Sequence, residues 1–530
     1  MSRKILFVKP PSLDMGNTAK GQNIIYGTKP YGVLSIMTYI NRYKTSNIDL
    51  SLLDLNIAPW TTYTDEEIEI NIKSLISTSL PSVVGLSIMY NHVYPYIEKI
   101  GRIVKSINSE IIVIAGGPCV TAYYKEILYG CPSIDAICYS EGEIPVLQLL
   151  EAEDMHSILE THISFLTKNG LLAGKIPNFL FVEDLDDIPL VDFGLINLSD
   201  YVNRFTIMRV NEVLNEFCLP ITTTRGCPYN CVFCTAGGLS GKKVRKASAK
   251  KIIADVKEMK VKYGLNTLSI EDDQALFDKD RAKEMLRGLA DLDIALFITS
   301  GFTLSLIDDE MFGLFKQAGL QQAVLPIESG CEYVLHKIID KPIKLEMVSY
   351  VVNGLKEQGI LCHANIIIGF PGENEEHLQE TLSFLKNSDI DWCYFFCATA
   401  LKGSRLYEEC VNSGYINIDE KNIDGYCVSH INTPDFTAEE ITKKAYIMNL
   451  ELNFVNNNRF SKGDYKTAIL YFEHVANKYP DHALANYYLA KCYEHIPSGQ
   501  DKVKLYLDKF KQIIEVSNEQ RGYASHFKLV

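Results

Sequence analysis

The segment Thr222-Thr223-Thr224-Arg225-Gly226-Cys227-Pro228-Tyr229-Asn230-Cys231-Val232-Phe233-Cys234 places three thiols within eight residues. If the loop curls, Cys227, Cys231 and Cys234 reach one metal centre. A structural zinc site asks for four ligands, and no fourth cysteine or histidine lies near enough in sequence to close this one. Three thiolates suit a cubane iron–sulfur cluster that leaves one iron open. An open iron can be chelated by a small molecule carrying amino and carboxylate groups, which then sits where a single electron reaches it. Zinc and chance spacing are the alternatives. Of the 14 cysteines, others such as Cys119, Cys138, Cys362 and Cys397 lie in apolar or aromatic surroundings and read as small buried side chains.

The elements that must position this loop follow from the apolar pattern. Strands are expected at 3–8, 48–55, 83–89, 111–115 and 136–139, with helices over about 33–43 and 94–107. That alternation predicts an open, mostly parallel α/β sheet, whose ligands bind at the carboxyl ends of the strands. Residues 151–215, with Glu183-Asp184-Leu185-Asp186-Asp187-Ile188-Pro189, read as a connector. From Leu219 onward six strand–helix units follow, with strands near 219–223, 267–270, 294–298, 322–326, 362–368 and 392–398. They predict a partial (β/α)6 barrel with its site at the strand ends. A linker is expected over 411–435, and 436–530 turns wholly helical. There Gly463, Tyr465, Ala468, Phe472, Ala476 and Pro480 match a tetratricopeptide hairpin. One such copy reads either as packing for the barrel or as a recognition surface.

A chain of 530 residues exceeds one core, so several domains are expected. The formal charge of -14 argues against nucleic acid as a partner. No apolar run reaches the length of a membrane span, so a cytoplasmic protein is expected.

With the preceding strand and with Phe233 before the last cysteine, the loop resembles the signature of the radical S-adenosylmethionine (SAM) superfamily, and residues 216–410 resemble its catalytic domain throughout. The resemblance implies a [4Fe-4S] cluster on the three cysteines, with SAM on the open iron near Phe233. It also implies a 5'-deoxyadenosyl radical released in a shielded cavity. Glu271, in Ser269-Ile270-Glu271-Asp272-Asp273, falls where the family contacts the SAM amino group; a solvated acidic turn is the alternative. Glu328 and Ser329 fall where it contacts the ribose, a helix cap being the alternative. Gly369, within Ile366-Ile367-Ile368-Gly369-Phe370-Pro371-Gly372-Glu373, falls beside the adenine, or serves the turn alone. The run Lys242, Lys243, Arg245, Lys246, Lys250 and Lys251 reads as a solvated helix entrance or, at Arg245, as a contact for an anionic substrate.

The first 150 residues resemble the cobalamin-binding domain of one subgroup of that superfamily. The matches are Pro10 in Lys9-Pro10-Pro11, Tyr31 in Pro30-Tyr31-Gly32, Ser87 closing the third strand, Gly116-Gly117-Pro118, and Glu141-Gly142-Glu143. The chain departs from the pattern in lacking Asp-x-His-x-x-Gly: Asp54-Leu55-Asn56-Ile57-Ala58 has no histidine, and His92 reads as a turn residue rather than a cobalt ligand. The resemblance implies cobalamin-dependent methylation of an unactivated carbon, with electrons from a flavodoxin, a ferredoxin or a reductase. Ring closure, ring contraction or another radical reaction, with cobalamin accessory or absent, is the alternative, and a scaffold protein is a third reading. The organic substrate stays open, a peptide or protein included.

Overall fold

The computed structural model describes residues 3–12, 29–57, 64–201, 218–417, 426–497 and 499–530. Parts of the expected connector (202–215) and linker (418–425), and Ala58, lie outside the described residues. The described residues divide into two compact units, one built from 3–201, 218–275 and 400–417, the other from 276–399 and 426–530.

The first unit begins with a six-stranded sheet in the order β2-β1-β3-β4-β5-β6: β1 (Arg3–Lys9), β2 (Ile48–Asp54), β3 (Val83–Ser87), β4 (Ile112–Gly116), β5 (Ala136–Cys138) and β6 (Phe165–Leu166). All neighbours run parallel except β6, which is antiparallel to β5. In β1, Ile5, Leu6, Phe7 and Val8 are all buried, as a strand covered on both faces requires. Leu6 and Val8 join one core with Ile68, Ile72 and Ile76 of α2 (Asp65–Ser79) and Ile97, Ile100 and Val104 of α3 (Pro95–Ile107). Ile5 and Phe7 join another with Val33, Met37 and Ile40 of α1 (Tyr31–Tyr43) and Val146, Leu149 and Leu150 of α4 (Glu143–Glu151). The period of two along the strand thus divides the apolar side chains between two helix layers. Helix α2 went unread in the sequence. Its start is set by a capping box in which Thr64 accepts from Glu67 N and the Glu67 side chain accepts from Thr64 N.

The same unit contains β7 (Cys218–Ile221), paired in parallel with β10 (Thr267–Ile270). Between them lie a two-stranded antiparallel ribbon, β8 (Thr224–Arg225) with β9 (Arg245–Lys246), and helix α5 (Ala249–Tyr263). The ribbon was not foreseen; it splits the expected strand 219–223 from the cysteine loop.

In the second unit, β12 (Gln322–Glu328), β13 (Leu361–Ile368) and β14 (Trp392–Cys397) form a parallel sheet, and β11 (Ala295–Ile298) meets Leu320 ahead of β12. The strands alternate with helices 309–317, 345–357 and 375–387. The helical tail is not a separate body within this unit. Ala468, Tyr471 and Phe472, with Leu484 and Leu489, share one core with Trp392 and Phe454. Trp392 stacks on Tyr471 with ring centres 5.2 Å apart.

His363 on β13 is buried between two hydroxyls, Tyr471 Oη at 2.7 Å and Tyr394 Oη at 3.1 Å. Burial, helped by nearby Lys356, pushes its pKa from 6.5 down to about 3. The unfolded chain therefore takes a proton below pH 6.5 that the folded chain refuses until about pH 3. This site removes stability as the pH falls through that window, by roughly 3 kcal/mol at pH ~4. Denaturant titrations of wild type and His363→Gln should converge in stability as the pH drops from 7 to 4. Parallel profiles would refute the assignment.

Candidate functional site: the cysteine loop and its cleft

Strand β7 delivers the chain to Thr222, and β8 to Gly226 and Cys227. Asp272, just after β10, is buried and accepts from Thr223 N and, at 2.5 Å, from Thr223 Oγ1. Asp273 Oδ2 accepts from Gly226 N at 2.9 Å. The loop then closes on itself: Cys227 N donates to Gly241 O at 3.0 Å, and Lys242 Nζ reaches Tyr229 O at 2.8 Å and Asn230 Oδ1 at 2.6 Å. Its outer side is held by the start of helix 405–412, where Leu406 N donates to Val232 O at 2.9 Å and Arg405 to Asn230 O at 2.5 Å.

Cys227 is buried, Cys231 half-buried and Cys234 exposed. Gln274 Nε2 donates to Cys227 Sγ at 3.3 Å, and Ala236 N to Cys234 Sγ at 3.4 Å. Among the described residues no three metal-binding side chains converge on one point, as a single ion would require. A cubane takes one thiolate per iron and needs no such convergence, and N–H groups aimed at its sulfurs are the usual means of tuning it. The donor set fits a three-thiolate cluster.

Gly226 has a φ of 100°, and a Cβ there would lie 2.3 Å from Lys243 O. Gly226→Ala is expected to cost at least about 2 kcal/mol, because both the backbone conformation and the contact are unfavourable. Iron retained per chain after anaerobic reconstitution should drop with it; wild-type iron content and melting in the variant would contradict the reading.

Beside the loop is a cleft of about 270 Å³ lined by Gly117, Thr121, Ser140, Glu141, Thr222, Thr224, Arg225, Ser240, Glu271 and Asp273, among others. It lies where the carboxyl ends of β4 and β5 meet those of β7 and β10, all within the first unit. Gly117, Glu141 and Glu271 of the expected site residues line it, and Gly116 ends β4 next to it. The approach at Gly117 is set by backbone: its φ is 107°, and a Cβ would meet Ile88 O at 2.5 Å. Gly142 precedes α4, where a Cβ would meet Ile36 at 2.6 Å.

Other expected residues fall elsewhere. Tyr31 Oη accepts from Thr222 N at 3.1 Å, and burial pushes its hydroxyl up to about 12. Pro10 O accepts from Asn56 Nδ2 at 2.9 Å, Ser87 ends β3, and Phe233 lies in the loop itself. Glu328, Ser329 and Gly369 belong to the second unit, at the ends of the paired strands β12 and β13. Glu328 is buried with a φ of 70° and takes Lys341 Nζ at 2.8 Å; it caps no helix. Ser329 Oγ lies 3.0 Å from Thr381 Oγ1. Gly369 N donates to Glu373 at 2.6 Å, and burial pushes that carboxyl up to about 7.

Three members of the basic run are committed within the protein. Lys243 pairs with Glu183 and Lys251 with Asp255, while the buried Arg245 guanidinium lies bidentate on Glu141 at 2.6 and 3.0 Å. The expected substrate contact at Arg245 is thereby overturned, since its donors are spent inside the protein. Sequence reasoning gave no role to Arg225, Gln274 or Lys341, and named Glu143 and Glu373 only as parts of motifs. Arg225, two residues before the first cysteine, carried a local signal, as did Glu143 and Glu373 within their motifs; Gln274 and Lys341 carried none.

The sequence profile of the radical SAM superfamily matches residues 221–385, and that of the B12 binding domain matches residues 26–150. The chain is a radical SAM enzyme with a B12-binding domain. Its radical SAM domain holds the cysteine loop, and its B12-binding domain supplies β4 and β5 to the cleft. The chain is 26% identical over 409 residues to cytidylyl-2-hydroxyethylphosphonate methyltransferase of Streptomyces wedmorensis, covering 70% of this chain and 75% of that protein. It is 25% identical over 353 residues to the anaerobic magnesium-protoporphyrin IX monomethyl ester cyclase of Rubrivivax gelatinosus, covering 65% and 61%. Among solved structures, the radical SAM methyltransferase TsrM of Kitasatospora setae, with cobalamin and a [4Fe-4S] cluster bound, superposes with a TM-score of 0.59 at 16% identity, covering 78% and 75%. The fold is therefore shared.

Proposed function

We propose that the protein is a cobalamin-dependent radical SAM methyltransferase that methylates an unactivated carbon. The observation that carries this reading is the cleft, where strand ends of the B12-binding domain and the residues that flank the loop bearing Cys227, Thr224 and Arg225 before it and Leu239 and Ser240 after it, border one space. When bound, the cluster supplies the electron that splits SAM to a 5'-deoxyadenosyl radical, and cobalamin supplies a methyl carrier. Cys227, Cys231 and Cys234 hold the cluster, with Gln274 and Ala236 N donating to two of the sulfurs. Glu271 and Asp273, on the cleft wall, offer carboxylates to the SAM ammonium group. The hydroxyls of Thr121, Ser140, Thr222, Thr224 and Ser240 suit the amide groups that fringe a corrin, being donors and acceptors at once. Glu328, held by Lys341, faces the ribose hydroxyls in this reading, and Gly369 the adenine.

A radical SAM enzyme needs a reductant, for which a flavodoxin or ferredoxin is proposed. Among the described residues no helix is long and apolar enough to cross a membrane. An oxygen-sensitive cluster held by thiolates favours a reducing compartment, the cytoplasm. The relationship to a methyltransferase supports methyl transfer, and the relationship to a cyclase names its competitor.

The test needs no substrate. Anaerobic protein reconstituted with iron, sulfide and cobalamin is given a reductant and methyl-labelled SAM. Label on the bound cobalamin together with S-adenosylhomocysteine is the expected result. Release of 5'-deoxyadenosine without any label on cobalamin would overturn methyl transfer in favour of another radical reaction.

A further inference from the structure

Ribbon β8–β9 places Arg225 directly opposite Arg245. Like charges facing each other across a two-stranded pair repel, and both guanidiniums here are largely withdrawn from water. Nothing within the ribbon offsets them. The neutralising carboxylates come from the B12-binding domain, from the turn Glu141-Gly142-Glu143 after β5. Glu143 Oε1 accepts from Arg225 at 2.7 Å and from Ser35 Oγ at 2.8 Å. Glu141 lies between the arginines: Oε1 takes Arg245 at 2.6 Å, while Oε2 takes Arg245 at 3.0 Å, Val182 N at 3.2 Å and Arg225 at 3.3 Å. Arg245 is fixed further by Val182 O at 2.8 Å and by the ring of Phe181, 4.0 Å from its carbon to the ring centre.

An ionised carboxylate offers about four lone-pair sites. Glu141 Oε2 takes two hydrogen bonds and the Arg225 ion pair and Oε1 takes one hydrogen bond, so most of the carboxylate's capacity is committed within the protein, although it borders the cleft. Gly226 and Cys227 continue directly from Arg225, so whatever sets Arg225 sets the entry of the cluster loop.

We infer that Glu141 is a positioning residue for the iron–sulfur loop and not a ligand of cobalamin: it closes the Arg225–Arg245 ribbon, making the B12-binding domain a structural partner of the cluster. This rests on the assignment of the cluster to Cys227, Cys231 and Cys234. Were wild-type protein to take up no cluster, that assignment would fail first.

The experiment compares full-length wild type, Glu141→Gln and the double variant Glu141→Gln with Arg245→Met, each reconstituted anaerobically. Iron and sulfide per chain, the paramagnetic resonance spectrum of the reduced cluster, and hydroxocobalamin retained after gel filtration are measured together. Glu141→Gln should lose the cluster from most chains, or shift its spectrum, while keeping cobalamin. The double variant, which removes one of the two opposed charges, should regain the wild-type spectrum. If Glu141→Gln keeps a wild-type cluster, whether or not cobalamin is lost, the inference is wrong. If the single variant misfolds or loses both cofactors, the double variant decides: recovery of the cluster supports the positioning role, and no recovery overturns it.

Discussion

Cys227→Ser should leave a folded protein that holds no [4Fe-4S] cluster and cleaves SAM at least about 1,000-fold more slowly, the scale expected when an essential catalytic group is removed. Of the three cysteines this is the most telling. Cys227 is 9% exposed, sits directly after the glycine that turns the loop, and receives Gln274 on its sulfur. Serine is close to isosteric and keeps a partner for the Gln274 amide, so thermal stability of the metal-free protein should change by less than about 1 kcal/mol. It is a far weaker iron ligand than a thiolate, so the cluster goes while the fold stays. Iron quantification, the resonance spectrum after dithionite, and 5'-deoxyadenosine release measure this in one preparation. A serine variant with undiminished iron and an unchanged spectrum would remove Cys227 from the ligand set, and the proposed mechanism with it.

The second large effect concerns stability. Asp391, at the entrance to β14, is buried; it accepts from Lys356 Nζ at 2.7 and 2.8 Å and from Cys362 N at 2.7 Å, and forms an ion pair with Arg459, whose Nε lies 2.6 Å away. Lys356 follows from the helix 345–357 and Arg459 from the helical tail, so this one carboxylate joins the last strands to the C-terminal helices within the second unit. Asp389 continues the cluster with Arg459 and, at 2.7 Å, Lys462. Removing one member of a buried pair leaves its partner charged and without its counter-ion, at about 3–5 kcal/mol; here that partner is Lys356, while Arg459 keeps Asp389. Asp391→Ala should therefore lower the denaturation midpoint by an amount in that range and expose the tail to proteolysis. Asp391→Asn, which keeps acceptors for Cys362 N, should cost less. A change below about 1 kcal/mol for the alanine variant would mean that water reaches these cations and the network is weak.

Legibility differed by element for reasons that can be stated. The five parallel strands of the first sheet, and β7 and β10 to β14 after them, were readable because strands covered on both faces are continuous apolar runs, as in Ile5 to Val8. Helix 65–79 was not readable, because its buried stripe is only Ile68, Ile72 and Ile76 among acidic and polar neighbours. The ribbon β8–β9 escaped because each strand has two residues, too few for any period. At the site, the cysteines were readable because ligands for a cluster are concentrated in one loop. Glu141 stood out as part of a motif, but its partners Arg225 and Arg245 lie 84 and 104 positions further on. Lys341 beside Glu328 escaped for the same cause at shorter range.

The order of residues by itself determined the three thiols, their spacing and the alternation of strands, since each depends on neighbours a few positions apart. It also determined the class of chemistry, because three close thiolates without a fourth ligand leave an iron exposed. Folding alone decided which charges face each other. Coulomb interactions act through space and carry no sequence period, so the placement of two arginines around Glu141, and the commitment of Arg245 to the protein and not to a substrate, exist only once β5 and the ribbon are brought together.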